Sequence, residues 1–344
     1  MYSRLRRYLG LTTMSLLICG CATTPTGEPF SAEGKTWPAP PESARIRFVA
    51  EFTVPSDLGI RPSLWSRLKT LVTGPSTQRL VRPMAVVATA DGKVIYVADP
   101  GARCVHRFDL QRDRYRCLIT EHGDELASPV GLAISENGDL YASDSGLNAV
   151  FTAGPDDDAL RPLVLTPPPD QPTGLAVGPS GDLFAASTAS HSVRHYAPDG
   201  SLAREYGGRG SQPGQMNYPT YLWLASASEL LVTDTMNFRI QRIDPNDDVL
   251  GVFGKAGDGT GSFARPKGVA MDRFGHIYIV DSMHHAVQIF DRNGLLLLDV
   301  GKQGSGPGEF WLPSGIFVTH ENLIFVADAY NSRVQVFRYI GEEP

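Results

Sequence analysis

The chain has 344 residues, a formal net charge of −6 and 42% hydrophobic residues, enough apolar content to bury a sizeable core in one to three domains. The acidic balance argues against general binding to a nucleic-acid backbone, which rewards basic surfaces. With 35 glycines, 26 prolines and almost no helix-length amphipathic run, an all-β chain rich in turns is expected.

At the N-terminus, Arg4, Arg6 and Arg7 precede an apolar run from Leu9 to Ile18. The run is too short to span a bilayer as a stable helix and reads as a secretory signal over residues 1–20. It ends in LICGC, Leu17 to Cys21, which resembles the lipobox of bacterial lipoproteins, with Gly20 before the cut and Cys21 as the lipidated residue. An ordinary signal peptide with an incidental cysteine is the alternative. Loss of the signal takes the formal charge from −6 to −9. By the sorting rule of those lipoproteins, Ala22 implies the outer membrane if the source is Gram-negative. Residues 21–44, with TTPTGEPF and TWPAPPES, read as a Pro-rich tether.

After the tether comes a strand-like segment, RIRFVAEFTV, Arg45 to Val54. Next, SLWSRLKTLV places Leu64, Trp65, Leu68, Leu71 and Val72 on one helical face behind a Ser63 cap, so a helical insertion is expected over about 62–74. That helix packs on the domain or, alternatively, touches a membrane or partner through Trp65. Cys104 and Cys117 lie on the two arms of a hairpin, CVHRFD and YRCLIT, where both can face the same side, opposite or offset by two. In an exported chain a disulfide is the default, worth roughly 2–3 kcal/mol for so short a loop, and free thiols are the alternative.

Six segments then share a Pro-x-small start at Pro83, Pro129, Pro172, Pro219, Pro266 and Pro313, spaced 46, 43, 47, 47 and 47 residues apart. Each unit reads as four short strands. The second ends on Asp in YVAD, YASD, LVTD, YIVD and FVAD, and Ser187 takes that place in the third unit. Four strands per unit of about 45 residues describe a propeller blade. The pattern, clearest in VADAYNSRVQVF and GKQGSGPGEFWLPSG, resembles the NHL-repeat family of six-bladed β-propellers from about Ile46 to Tyr339. The propeller is expected over residues 45–344. Its sixth unit lacks an outer strand, so Arg45–Val54 is expected to close the ring and remove an exposed edge.

The loops between second and third strands and the connectors between blades share one face of a propeller, where ligands usually bind. Arg82, Arg239, Arg265, Lys267, His284, His285, Arg333 and Tyr218 are the ligand-face candidates. The recurrent Asp99, Asp144, Asp234, Asp281 and Asp328 are expected to bind backbone N–H groups of their own turns, with Asn148, Asn237 and Asn331 as turn formers.

His191 and His285 occupy one place in two blades. That place resembles the zinc-ligand position of peptidyl-amidoglycolate lyase relatives of the fold, but a catalytic zinc usually needs three protein ligands. Arg103, Phe238, Ser332 and Ala149 fill the other blades. No cofactor is required; zinc at His191 and His285, or calcium at acidic turns such as Pro155 to Asp158, is what the residues would admit. The leading expectation is an envelope binding or scaffolding propeller for a protein or glycan, held to the membrane through Cys21 and not binding nucleic acid. A metal-dependent lyase or lactonase using the connector face is the alternative.

Overall fold

The computed structural model describes residues 30, 34–61, 78–226, 228–245 and 249–341. The signal segment, Cys21 and the helical insertion at 62–74 lie outside the described residues. The described chain is an all-β, six-bladed propeller. Blade one comprises Ala85–Ala88, Val94–Asp99, Cys104–Asp109 and Arg114–Leu118. Blade two comprises Pro129–Ile134, Leu140–Asp144, Ala149–Ala153 and Arg161–Pro162, and blade three Pro172–Val177, Leu183–Ser187, Ser192–Tyr196 and Leu202–Gly207. Blade four holds Pro219–Ser226, Glu229–Asp234, Arg239–Ile243 and Val249–Phe253. Blade five holds Pro266–Met271, Ile277–Asp281, Ala286–Phe290 and Leu296–Gly301. Each of these five sheets pairs its strands antiparallel in chain order from the axis outward.

Blade six takes only Ile316–Val318, Leu323–Asp328 and Arg333–Tyr339 from the C-terminal end. Its fourth strand is Ile46–Phe52, paired antiparallel with Arg333–Tyr339 from Ile46↔Tyr339 to Phe52↔Val334. The N-terminal strand therefore closes the ring. Ile46, Val49 and Phe52 are buried by it, each contributing about 1.5–3 kcal/mol of apolar transfer. The sheet extends further upstream than Arg45, because Thr36–Trp37 pairs with Ile46 and Arg47 and Trp37 packs edge-on against Phe337. Part of the expected tether is thus strand.

The repeated Pro-x-Gly start has a steric cause. A Cβ at Gly131 would lie 1.9 Å from the Thr173 carbonyl oxygen, and at Gly268 it would lie 2.7 Å from that of Ser314. In blades two, three, five and six the neighbouring inner strands approach so closely at the connector end that only glycine fits, whereas Ala85 and Tyr221 stand at that place in blades one and four. Further out, the connectors before blades four, five and six are anchored by fully buried Met216, Phe263 and Phe310.

Cys104 and Cys117 are disulfide-bonded, with Cα atoms 5.8 Å apart. Because Cys117 pairs in register with His106, the bridge runs diagonally, offset by two.

Candidate functional site

The five recurrent aspartates are fully buried, and each ties its turn to the preceding connector. Asp144 accepts Gly146 and Leu147 N–H from its own turn, and Ala127 and Ser128 N–H from the connector. Burial alone would raise Asp99. The hydrogen bonds from His106 and from the N–H groups of Val81, Ala102 and Arg82 outweigh it and hold the carboxyl below its ordinary range. Ser187 Oγ accepts the Asp170 N–H in blade three, a partial substitute. These carboxylates are architectural.

Two of the expected ligand-face arginines are also architectural. Arg239 donates to Asp234 Oδ2 and to the carbonyls of Ser211, Gln212 and Gln215. Arg333 repeats this on Asp328 and the carbonyls of Ser305, Gly306 and Glu309, and adds Glu51 of the closing strand. Both side chains are buried, so their guanidinium groups brace connectors and are not presented to a ligand.

The place shared by His191 and His285 has positive φ in all six blades: Arg103, Asn148, His191, Phe238, His285 and Ser332. Blade two therefore contributes Asn148 there, not Ala149. Recurrence in every blade makes this strained conformation a property of the fold. His191 Nδ1 accepts the Tyr218 N–H at 3.2 Å and His285 Nδ1 accepts the Leu312 N–H at 3.1 Å; Asn148 Oδ1 does the same for Gln171 N–H at 2.7 Å. A neutral imidazole that accepts at Nδ1 carries its proton on Nε2. Neither nitrogen then has a lone pair for a metal, whereas a ligating histidine donates from its second nitrogen. Burial, working against the pull of Asp328 and Asp281, keeps the His285 imidazole below its ordinary pKa, consistent with the neutral form. His284 Nδ1 lies 3.2 Å from Asp281 Oδ2. The acidic turn Pro155 to Asp158 is engaged by arginines: Arg112 meets Asp156, Arg161 meets Asp157, and Arg114 and Arg116 meet Asp158.

What remains on the connector face is Arg82, Arg265, Lys267 and Tyr218. The residues immediately before and after the six prolines ring the axis. Three of these twelve are charged, all positive: Arg82, Arg265 and Lys267. None of the three makes an ion pair among the described residues. Burial pushes the Lys267 ammonium down to about 8, helped by Arg265 and Arg82, so the three cations share one field.

Beneath them Tyr221 reaches across the axis from blade four. Its hydroxyl lies 3.0 Å from the Met84 carbonyl oxygen of blade one and 2.6 Å from Ser314 Oγ of blade six. Below that crossing runs an apolar axial cavity of about 160 Å³, lined by Val86, Leu132, Leu175, Leu222, Val269 and Ile316 among others. The mouth is therefore a cationic cup floored by Tyr221. Around it, Leu147, Tyr218, Met236, Met283, Trp311 and Tyr330 expose large apolar surface, and Trp311 and Tyr330 face each other at 6.0 Å.

Sequence reasoning did not single out Tyr221, Trp311 or Tyr330. The available signal for Tyr221 was YPTYLW, the one segment of the six in which a large residue replaces the small one two places after the proline.

A family described as 6-bladed beta-propeller matches residues 262–341. Among solved structures the chain is similar to virginiamycin B lyase from Staphylococcus aureus, at 18% identity, TM-score 0.55, over 76% of this chain and 96% of that one. It is similar to an auxiliary nutrient binding protein from Bacteroides thetaiotaomicron, at 11% identity, TM-score 0.60, over 76% and 70%. A gluconolactonase from Xanthomonas campestris gives 18% identity, TM-score 0.59, over 76% and 87%. No curated protein sequence matches the chain. At these identities the likeness is one of fold.

Proposed function

We propose that this protein is an NHL-type binding propeller of the bacterial cell envelope, lipid-anchored at Cys21, whose connector-face cup receives an anionic group of an envelope protein or glycan. The observation that carries this reading is the set of Arg82, Arg265 and Lys267, three cations without ion-pair partners among the described residues, at the axial mouth of a chain whose net charge is negative. Like charges held together and partly desolvated are costly, and an anion relieves that cost. The exposed aromatic and methionine rim offers apolar contact beside it. The LICGC segment and the proline-rich stretch after it support the anchor, on the outer membrane if the source is Gram-negative. The similarity to nutrient-binding propellers supports binding as the class of activity. The lyase or lactonase alternative draws on the similarity to enzymes, but it needs His191 and His285 as ligands, and their Nδ1 hydrogen bonds oppose that.

The test compares the mature chain with Arg82→Glu/Arg265→Glu/Lys267→Glu in titrations with an acidic oligosaccharide and an acidic peptide. The reading expects salt-sensitive binding of one of them by the unaltered chain and at least tenfold weaker binding by the triple variant. Equal affinities would overturn it. Radiolabelled palmitate should enter the full precursor but not Cys21→Ala.

A further inference from the structure

Arg82 is shared between the cup and a cleft of about 400 Å³ between blades six and one, lined by Val81, Arg82, Gly101, Ala329 and Tyr330. Its walls are equivalent positions of the repeat. Two residues before the proline stand Trp311 in blade six and Val81 in blade one; two residues after the turn aspartate stand Tyr330 and Gly101. Only blade six has aromatic rings at either place. Trp311 is 48% exposed and Tyr330 54%, an unusual amount of aromatic surface to leave in water side by side. Backbone hydrogen bonds hold the pair in position: Asp328 Oδ1 accepts the Trp311 N–H at 2.8 Å, and the Tyr330 N–H donates to the Trp311 carbonyl at 3.1 Å. The two rings meet at 38° and form a fixed platform. Across the cleft, a Cβ at Gly101 would lie 2.7 Å from Val81 Cγ1, so the blade-one turn adds no side chain and the space beside Tyr330 stays open. Ser332 Oγ donates to the Val81 carbonyl at 2.6 Å and ties the two walls together.

The Arg82 backbone N–H is taken by Asp99 Oδ1, while its guanidinium makes no ion pair or hydrogen bond among the described residues. Nor does Tyr330 Oη or Trp311 Nε1 make a hydrogen bond there. A flat apolar face, a cation and unengaged polar atoms thus meet at one cleft. A uronic-acid residue carries the complement of all three on a single ring: a C–H face that lies on an aromatic ring, hydroxyls around its edge, and a carboxylate that a guanidinium pairs bidentately. An acidic peptide offers the carboxylate on a flexible stem and no such face. We propose that the cleft between blades six and one is a subsite for a uronate residue of an acidic oligosaccharide, with the sugar's C–H face on Tyr330 and Trp311 and its carboxylate on Arg82. The proposal rests on the cup reading and names the cup's ligand as a glycan, with Arg265 and Lys267 left for a neighbouring carboxylate of the same chain.

The experiment titrates the mature chain with an oligogalacturonate, its methyl ester and an oligoglutamate, following heat and tryptophan fluorescence, with circular dichroism of each variant. The proposal expects the oligogalacturonate to bind and to change the tryptophan emission, and the methyl ester and the oligoglutamate to bind at least about tenfold more weakly. Arg82→Gln should bring the oligogalacturonate toward the affinity of its ester. Trp311→Ala/Tyr330→Ala should weaken the oligogalacturonate at least about tenfold and leave the oligoglutamate unchanged, whereas Trp311→Phe/Tyr330→Phe keeps both faces and should lose less. Oligogalacturonate binding that survives intact in the alanine pair, or an equal loss in the phenylalanine pair, overturns the subsite. Tighter binding of the oligoglutamate overturns it too and leaves the cup reading standing; binding of neither acidic ligand overturns both.

Discussion

Replacing Lys267 with methionine removes one of the three cations at the axial mouth, the one whose ammonium burial depresses. The ammonium is held near pKa 8 by burial first and by Arg265 and Arg82 second, against an ordinary value of 10.5. At about 1.36 kcal/mol per pH unit the displacement corresponds to roughly 3 kcal/mol, and the partial exposure of the side chain reduces it to about 1–3 kcal/mol. The sign follows from linkage. The folded pKa of this base is depressed, so the folded state binds fewer protons than the unfolded chain between about pH 8 and 10.5, and native stability rises across that window. Lys267→Met should therefore be more stable than the unaltered protein at pH 7, and the gap should close as pH approaches 10.5. Urea unfolding monitored by tryptophan fluorescence at pH 7, 8.5 and 10 reads this directly. A variant less stable at pH 7, or a gap independent of pH, would refute the picture of a strained cation kept for a ligand.

Other consequences are equally measurable. Arg333→Ala removes a guanidinium bound to Asp328, Glu51 and three connector carbonyls, and should cost about 3 kcal/mol in chemical denaturation; a loss below about 1 kcal/mol would show that the brace is dispensable. His285→Ala leaves the Leu312 N–H without its acceptor and should cost about 1–3 kcal/mol, whereas His285→Asn should recover most of that, since Asn148 does the same work in blade two. Deleting residues up to Phe52 strips blade six of its outer strand, so the truncated chain should elute as an aggregate in size-exclusion chromatography; a stable monomer would contradict the closure's importance.

The architecture was legible because propeller geometry repeats in sequence: the proline spacing, the Asp ending each second strand and the missing sixth outer strand translate directly into blades, turns and closure. The disulfide was legible from hairpin parity. The site was less so. Arg239 and Arg333 looked like free cations, and their consumption by carbonyls 24 to 28 residues away is invisible in sequence. His191 and His285 resembled metal ligands because residue type was visible while the direction of the Nδ1 hydrogen bond was not. Tyr221 reaches a partner 137 residues distant, a contact set by closure of the ring and not by any local pattern. Arg82, Arg265 and Lys267 could be named from the repeat as connector-face residues, but their mutual proximity is set by how blades one and five approach the axis.

The measurement closest to the central claim is isothermal titration of the mature chain with an oligogalacturonate at 20 and 200 mM salt, beside Lys267→Met and the triple glutamate variant. At pH 8, where Lys267 is partly deprotonated, binding at the cup should take up protons, weaken with salt, and lose both the affinity and the proton uptake in Lys267→Met. Binding that is insensitive to salt and unchanged in both variants would contradict a cationic cup as the ligand site.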